Sequence, residues 1–403
     1  MEDLSIFSLF SGIGATEKAL TNLGIPFDLV GYSEIDKNAS MSYAAIHDVP
    51  ESMNLGDITK VNTDNLPKDI DLITYGFPCQ DISNAGKMKG LFNEDGTRTR
   101  SGLFFEGLRI IEATKPKVAI AENVKMLTSK KFATEFQIVL DSLEQAGYNN
   151  YYKVLNAKDY GIPQNRERVF TVSIRKDIDT GSFAFPESIP LNIRLKDVLE
   201  GEVDEKYFVK AELTRKLVID RELTEPQVLR LVRNEHGKKI RKQYESGELV
   251  EPWGLMKQYE PRTDGVSNTV STVLKDNILL VKEATKTGYA EARVGDSINF
   301  EHPNSKTRRG RVGKQVSQTL VTSPQQGVVM EDLRIRYYTP KECFRLLGFS
   351  DRDFEMAAMF NSERQLYKQA GNSIVVPVFE HIIQKLLESG VLPNVNVYTR
   401  EVC

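Results

Sequence analysis

Ile70-Asp71-Leu72-Ile73-Thr74-Tyr75-Gly76-Phe77-Pro78-Cys79-Gln80 is a short apolar run that ends on a proline, a cysteine and a polar amide. Its apolar part reads as a buried strand. Pro78 stops that strand, having no amide hydrogen for a ladder and a fixed φ, and so aims the Cys79 thiol out of the sheet edge. A lone cysteine is most often a core side chain, and that reading competes here. Two other segments weigh against it. Glu122-Asn123-Val124 follows the apolar run Val118-Ala119-Ile120-Ala121, and Gln164-Asn165-Arg166-Glu167-Arg168 leads into Val169-Phe170-Thr171-Val172-Ser173-Ile174.

Outward from these runs, the first 175 or so residues alternate strand and helix patterns. Leu4 to Phe10 reads as a strand, Ala15 to Leu23 as a helix, and Leu29 to Ser33 as a second strand ending at Glu34. The pattern predicts an α/β fold with a doubly wound parallel sheet, whose polar residues gather at the carboxyl ends of the strands, where such sheets bind ligands. From about Phe185 the periodicity weakens and charge rises, which predicts a smaller, mixed, β-rich second domain. The expected limits are 1–184, 185–334, and a return segment 335–403 that completes the first domain with a short strand and an amphipathic helix between Ser373 and Leu387. The second domain contains an echo, Val266 to Thr272 and Val316 to Thr322, which two strands would explain without any function.

At 403 residues, 40% hydrophobic and 27% charged, the chain has the composition of a globular protein of about two domains. The acidic start Met1-Glu2-Asp3 lacks the pattern of a secretory signal. Three cysteines without paired spacing argue against a disulfide framework or a zinc site, and a reduced Cys79 favours the cytosol. A net charge of -3 alone speaks against nucleic acid. Locally the balance differs: Lys306, Arg308, Arg309, Arg311 and Lys314 cluster without an acid, and Arg233 to Lys242 forms a second basic stretch. Each reads either as a solvated face or as a phosphate contact.

Gly12-Ile13-Gly14 after the first strand is a weak nucleotide-binding signal, because Glu17 replaces the third glycine of the dinucleotide pattern. Glu34 is placed to accept hydrogen bonds from ribose hydroxyls. An NAD-dependent dehydrogenase would look similar here.

Taken in order, Phe10-Ser11-Gly12-Ile13-Gly14, Gly56-Asp57-Ile58, Pro78-Cys79-Gln80, Glu122-Asn123-Val124, Gln164-x-Arg166-x-Arg168, Tyr338-Thr339-Pro340-Lys341-Glu342-Cys343 and Gln369-Ala370-Gly371-Asn372-Ser373 resemble the DNA (cytosine-5) methyltransferase family, in its compact bacterial or phage form. Residues of roughly 4–175 and 335–385 carry the likeness. The resemblance implies an S-adenosylmethionine-dependent enzyme that flips a cytosine out of duplex DNA and methylates its carbon 5. It implies catalytic roles for Cys79 as nucleophile, Glu122 at ring N3 and the exocyclic amine, Arg168 at the base carbonyl, and Arg166 in support. Cofactor contacts are expected from Phe10, packed on the adenine, from Gly12, Gly14, Glu34 and Ile35, from Asp57 at the adenine amino group, and from Ile58, Pro78, Leu103 and Asn372. The segment Asp81 to Ser101, with Gly86, Gly90 and Gly96, reads as a mobile loop over the site. Gln80, Lys87, Lys89, Arg98, Arg100, Arg309, Arg311, Thr319 and Leu320 are the expected DNA contacts, with Thr269-Val270 a weaker alternative to Thr319-Leu320. No metal is expected. A monomer in the cytoplasm suffices, and whether a restriction endonuclease shares its site stays open. Two rivals also stay open: a tRNA cytosine-5 methyltransferase, which shares Pro-Cys-Gln and Glu-Asn-Val, and a catalytically silent DNA-binding module.

Overall fold

A computed structural model describes residues 3–82, 88–217, 229–233, 235–240, 243, 257–261 and 278–393. In chain order its first elements are β1 Leu4–Leu9, α1 Ala15–Asn22, β2 Phe27–Ser33, α2 Lys37–His47, β3 Leu72–Tyr75, α3 Phe104–Thr114, β4 Val118–Val124, α4 Ala133–Gln145, β5 Tyr148–Asn156, β6 Gln164–Asn165 and β7 Glu167–Arg175. There follow α5 Ala211–Leu217, β8 Leu229–Arg233, α6 Glu235–Lys239, β9 Lys257–Pro261, β10 Leu279–Lys282, β11 Tyr289–Ala292, β12 Ser297–Asn299, β13 Val312–Gly313, β14 Ser317–Gln318, β15 Gln326–Val329 and β16 Ile335–Tyr337. Four helices close the order: α7 Pro340–Arg345, α8 Asp351–Ala358, α9 Glu363–Asn372 and α10 Val376–Glu388.

The chain divides into two compact units, residues 1–193, 319–323 and 340–403, and residues 194–318 and 324–339. These limits lie a few residues beyond 184/185 and 334/335, and the first unit also takes back the five residues Thr319–Ser323 from within the stretch expected to form the second.

The first unit is built on a six-stranded sheet in the order β2-β1-β3-β4-β7-β5. Its four leading strands pair in parallel, whereas β7 runs antiparallel to both β4 and β5. The sheet is therefore mixed rather than wholly parallel. The reason is local: a parallel return to the sheet needs a crossover of a dozen or more residues, usually helical, and the connection 157–166 holds only a 3-10 turn, Ala157–Tyr160, and β6. Phe7, Leu9, Ile73, Tyr75 and Ala119 of the sheet pack with Phe104, Ile110 and Ile111 of α3 and Phe136, Val139 and Leu143 of α4. On α10, Phe379 meets Phe170 of β7 edge to face at 5.8 Å. Lys18 of α1 pairs with Asp353 of α8 at 2.8 Å, and Ser42 of α2 donates to Gln369 of α9 at 2.9 Å. Between Ser373 and Leu387 the return segment has the amphipathic helix expected there but no strand, since Ser373–Val375 is an extended link into α10, whose first turn carries Pro377.

The second unit holds an antiparallel sheet β13-β12-β15-β16 and the pairs β10-β11 and β8-β9. Leu279, Val281, Ala292, Ile298, Phe300, Val329 and Ile335, with Leu217 of α5, form its core. Of the expected echo, Val266 to Thr272 lies outside the described residues, as does Thr269-Val270; Val316 to Thr322 contains only the two-residue strand β14 before the chain passes into the first unit at Thr319. Among the described residues no helix is long and apolar enough to cross a membrane.

Candidate active site

Parallel pairing of β3 with β4 brings their carboxyl ends side by side, so that Cys79, just past β3, and Glu122, near the end of β4, share one edge of the sheet. The buried Asn123 amide ties the two together by donating to the Phe77 carbonyl at 3.0 Å. On the other side of β4, Val124 faces Arg168 and Glu122 faces Phe170, which makes Glu122 and Arg168 diagonal neighbours on one face. Arg168 Nε lies 2.9 Å from Glu122 Oε1, with both side chains largely buried. The half-buried Cys79 thiol is pushed up in pKa by burial, with the Glu122 carboxylate adding to the effect, and the guanidinium groups of Arg168 and Arg166 only partly oppose it. Burial thus outweighs the two arginines at Cys79, although both act toward the thiolate. Alkylation of Cys79 by iodoacetamide, followed by mass mapping of its peptide, is accordingly expected to be slower than that of a model thiol at pH 8 and to rise toward a midpoint above the ordinary thiol value of 9.0.

Arg166 departs from its partner two residues on. It is fully buried, its guanidinium donates to the carbonyls of Leu320, Gly371 and Ser373, and burial lowers its pKa to about 9. Gln164, equally buried, donates to Leu346 O at 2.7 Å and accepts the Leu320 amide at 3.3 Å. Neither arrangement is visible in the local sequence.

A cavity of about 50 Å³, well below the roughly 300–1,000 Å³ usual for small-molecule sites, opens over the turn after β1. Phe10, Ser11, Gly12, Thr74, Gly76, Glu122, Asn372 and Ser373 are among its walls, so it reaches from the glycine turn to the Cys79 neighbourhood. Gly12 sits at φ +57 with nothing within 4 Å of where a Cβ would stand, and the buried Ser11 hydroxyl has no partner among the described residues. These features fit a polar organic ligand lying against the backbone. Glu34, raised in pKa by desolvation, accepts from Gly12 N–H at 2.9 Å and Asp36 N–H at 2.8 Å, locking β2 to the turn. Ile35 follows it, 73% exposed. Asp57 caps a 3-10 turn through Thr59, which lowers its pKa, and Ile58 is buried behind it. Pro78 and Leu103 are half-buried, and Asn372 is exposed at the end of α9.

Gly14 is constrained by packing. It holds φ +80 at the start of α1, and an added Cβ would stand 2.1 Å from His47 Nε2 and 2.9 Å from the ring of buried Tyr43. Gly14→Ala is expected to cost about 1–3 kcal/mol, overpacking added to a left-handed backbone, measured as a fall in the urea midpoint at unchanged m-value.

Of the expected DNA contacts, Gln80, Lys89, Arg98 and Arg100 are exposed. Lys87 lies outside the described residues. In the described part of that segment Asp81 O accepts from Gly90 N–H and its carboxylate from Arg100 N–H, Arg100 donates to Gln80 Oε1 at 3.1 Å, and Arg98 stacks on Phe105 at 4.6 Å. In the second unit Arg309 is exposed, with Nε on the Ala284 carbonyl. Arg311 is 1% exposed and donates to the carbonyls of Asn299, Glu301 and His302, which places it in the fold of its loop and not on a phosphate-facing surface. Thr319 donates to Asn165 O at 2.9 Å, and Leu320 is buried. Among the described residues no group of His, Cys, Asp or Glu converges as a metal site.

The family of C-5 cytosine-specific DNA methylases matches the chain over residues 4–388. The chain is 34% identical to the orphan methyltransferase M.SPBetaI of Bacillus phage SPbeta, over 97% of this chain and 99% of that one. It is 31% identical to the type II methyltransferase M2.ScrFI of Lactococcus lactis subsp. cremoris, over 96% and 99%. Solved structures of the Entamoeba histolytica methyltransferase EhMeth (17% identical, TM-score 0.56, covering 96% of this chain and 99% of that one) and of a Spodoptera frugiperda DNMT2 mutant (17%, 0.52, 96% and 100%) share its fold. The strand-end cysteine beside a carboxylate–arginine pair thus stands in a chain that belongs to the C-5 cytosine-specific DNA methylases, and the protein is a DNA (cytosine-5) methyltransferase.

Proposed function

We propose that this enzyme flips a cytosine from duplex DNA at a short specific sequence and methylates its carbon 5 through a covalent bond to Cys79, with S-adenosylmethionine as methyl donor. The observation that carries this reading is the Glu122–Arg168 pair, 2.9 Å apart, whose carboxylate member lines the cavity that begins at Phe10 and Gly12. Cytosine presents an amine, a ring nitrogen and a carbonyl along one edge. A carboxylate next to a guanidinium complements that edge, the carboxylate at N3 and the exocyclic amine, the guanidinium at the carbonyl.

Carbon 5 of an aromatic pyrimidine is a poor nucleophile. Addition of Cys79 Sγ to carbon 6 moves an electron pair toward carbon 5, and Glu122 supports the charge by sharing a proton with N3. S-adenosylmethionine supplies, when bound, an electrophilic methyl group. Once carbon 5 is methylated, a base takes its proton, the carbon 6–sulfur bond breaks, and the thiolate leaves. Phe10, Gly12, Glu34, Ile35, Asp57, Ile58, Pro78, Leu103 and Asn372 are proposed to hold the cofactor, Ile35 by offering its exposed side chain to the adenine. Gln80, Lys87, Lys89, Arg98, Arg100 and Arg309 are proposed to meet the DNA, and the second unit to read its sequence. The enzyme acts as a monomer in the cytoplasm, alone or beside an endonuclease of the same specificity.

The test is incubation with mixed-sequence duplex DNA and S-adenosylmethionine, then 5-methylcytosine mapping at single-base resolution, with tRNA in parallel. Methylation at one short duplex motif is expected. Transfer to tRNA alone, or no transfer by protein shown to bind the cofactor, overturns the reading.

A further inference from the structure

β4 and β5 both run antiparallel to β7, hence parallel to each other, and α4 crosses between them. Tyr148 of β5 faces Arg175 while Val118 of β4 faces the neighbouring Ile174, so the two strands begin at one edge of the sheet. The start of α4 therefore lies at the opposite edge, where β4 ends beside Glu122 and Cys79. The link is short: 3-10 turns over Lys125–Thr128 and Lys130–Phe132 lead from Val124 to Ala133. The loop after Cys79 returns to the same place, since a Cβ on Gly90 would stand 2.5 Å from Glu135 Oε1 in the first turn of α4.

Lys130 and Lys131 are exposed just ahead of that turn, as are Ala133 and Thr134 within it. Lys125 pairs with Glu167 at 2.8 Å, but among the described residues neither later lysine meets an acid; Lys131 Nζ lies over the Phe132 ring at 5.4 Å. The 13-residue helix has no side-chain cap, and the Ser129 hydroxyl next to it is buried without a hydrogen-bond partner among the described residues. A helix start carries partial positive charge and amide hydrogens with no partner inside the helix. Two lysines placed there repel it, and the single first-turn acid, Glu135, answers only one of them. The arrangement costs the free protein stability and suits an oxyanion, which would meet cations, amide hydrogens and a waiting hydroxyl together.

We propose that Lys130 and Lys131, at the start of α4, hold a backbone phosphate of the duplex beside the active site, fixing where the DNA lies without reading its sequence. This rests on the reading of Cys79 and Glu122 as the place a base enters: to deliver a base there, a duplex has to cover this edge and brings phosphates to it.

The test titrates the full-length protein with labelled duplexes of unrelated sequence by fluorescence anisotropy, from about 50 to 200 mM salt. In Lys130→Ala/Lys131→Ala the slope of log affinity against log salt is expected to shrink by about 1, and affinity at the lowest salt to fall about tenfold by the same factor for every duplex. Lys176→Ala, at the opposite edge of the sheet, is expected to keep the wild-type slope. The urea midpoint of the double variant is expected to rise, because a repulsion has been removed. A wild-type slope in the double variant overturns the proposal, as does a loss that differs between sequences or a lowered urea midpoint, which would make the lysines base readers or structural groups. In each of these cases wild-type protein still binds duplex and the reading of the active site stands; wild-type protein that binds no duplex overturns both.

Discussion

Cys79→Ser is expected to lower methyl transfer by more than about a thousandfold, given that losing a covalent nucleophile elsewhere costs up to about 10⁶ in kcat. The oxygen of serine is far less nucleophilic than a thiolate, and the other cysteine among the described residues, Cys343, is buried, its own pKa pushed up by desolvation. Binding of duplex DNA is expected to persist, because the surfaces proposed for it, Gln80, Lys89, Arg98 and Arg100, do not depend on the sulfur. A rate assay with tritiated cofactor, paired with a gel-shift titration, checks both halves. Retained transfer would remove Cys79 from the mechanism, and joint loss of rate and binding would point to damaged structure.

Glu122→Gln is expected to reduce the rate by roughly 10²–10⁴, the usual worth of a positioned acid–base group. The amide matches the carboxylate in shape but cannot share a proton with N3 on demand, and it leaves the largely buried Arg168 without its counter-ion. Single-turnover kinetics separates the two consequences. A lost proton partner lowers the chemical step at saturating DNA, whereas a displaced Arg168 weakens engagement of the base and is partly restored by higher DNA concentration.

The grouping of Cys79, Glu122 and Arg168 was legible in sequence because each follows or opens an apolar strand, and parallel β3 and β4 must end together. What remained hidden was set by contacts distant along the chain. Arg166 and Arg168 stand two apart in one motif, yet one pairs with Glu122 and the other is buried against carbonyls some 150 to 200 residues away. Arg309 and Arg311 differ in the same manner, one exposed and one enclosed by its own loop. Gly14 carries the mark of a ligand turn, but the constraint on it comes from His47 and Tyr43, a helix away. The direction of β7 was missed because strand patterns carry no sign of orientation, and the shortness of its connection to β5 decides it.

The division of the first unit between distant parts of the chain bears on how the protein is made. When a ribosome has released residue 193, the sheet is written but Asn372, Ser373 and the helix that covers β7 are not. At synthesis rates of roughly 5–20 residues per second, about 10–40 s pass before Glu388 is added. For that interval the nascent sheet lacks α10 and the Asn372–Ser373 part of the cavity wall, while the second unit, contiguous from 194 to 318 apart from its last strands, is still emerging. The cavity therefore closes late, and truncation before Asn372 yields a chain without a complete cavity wall, whatever residues of the active centre it already contains.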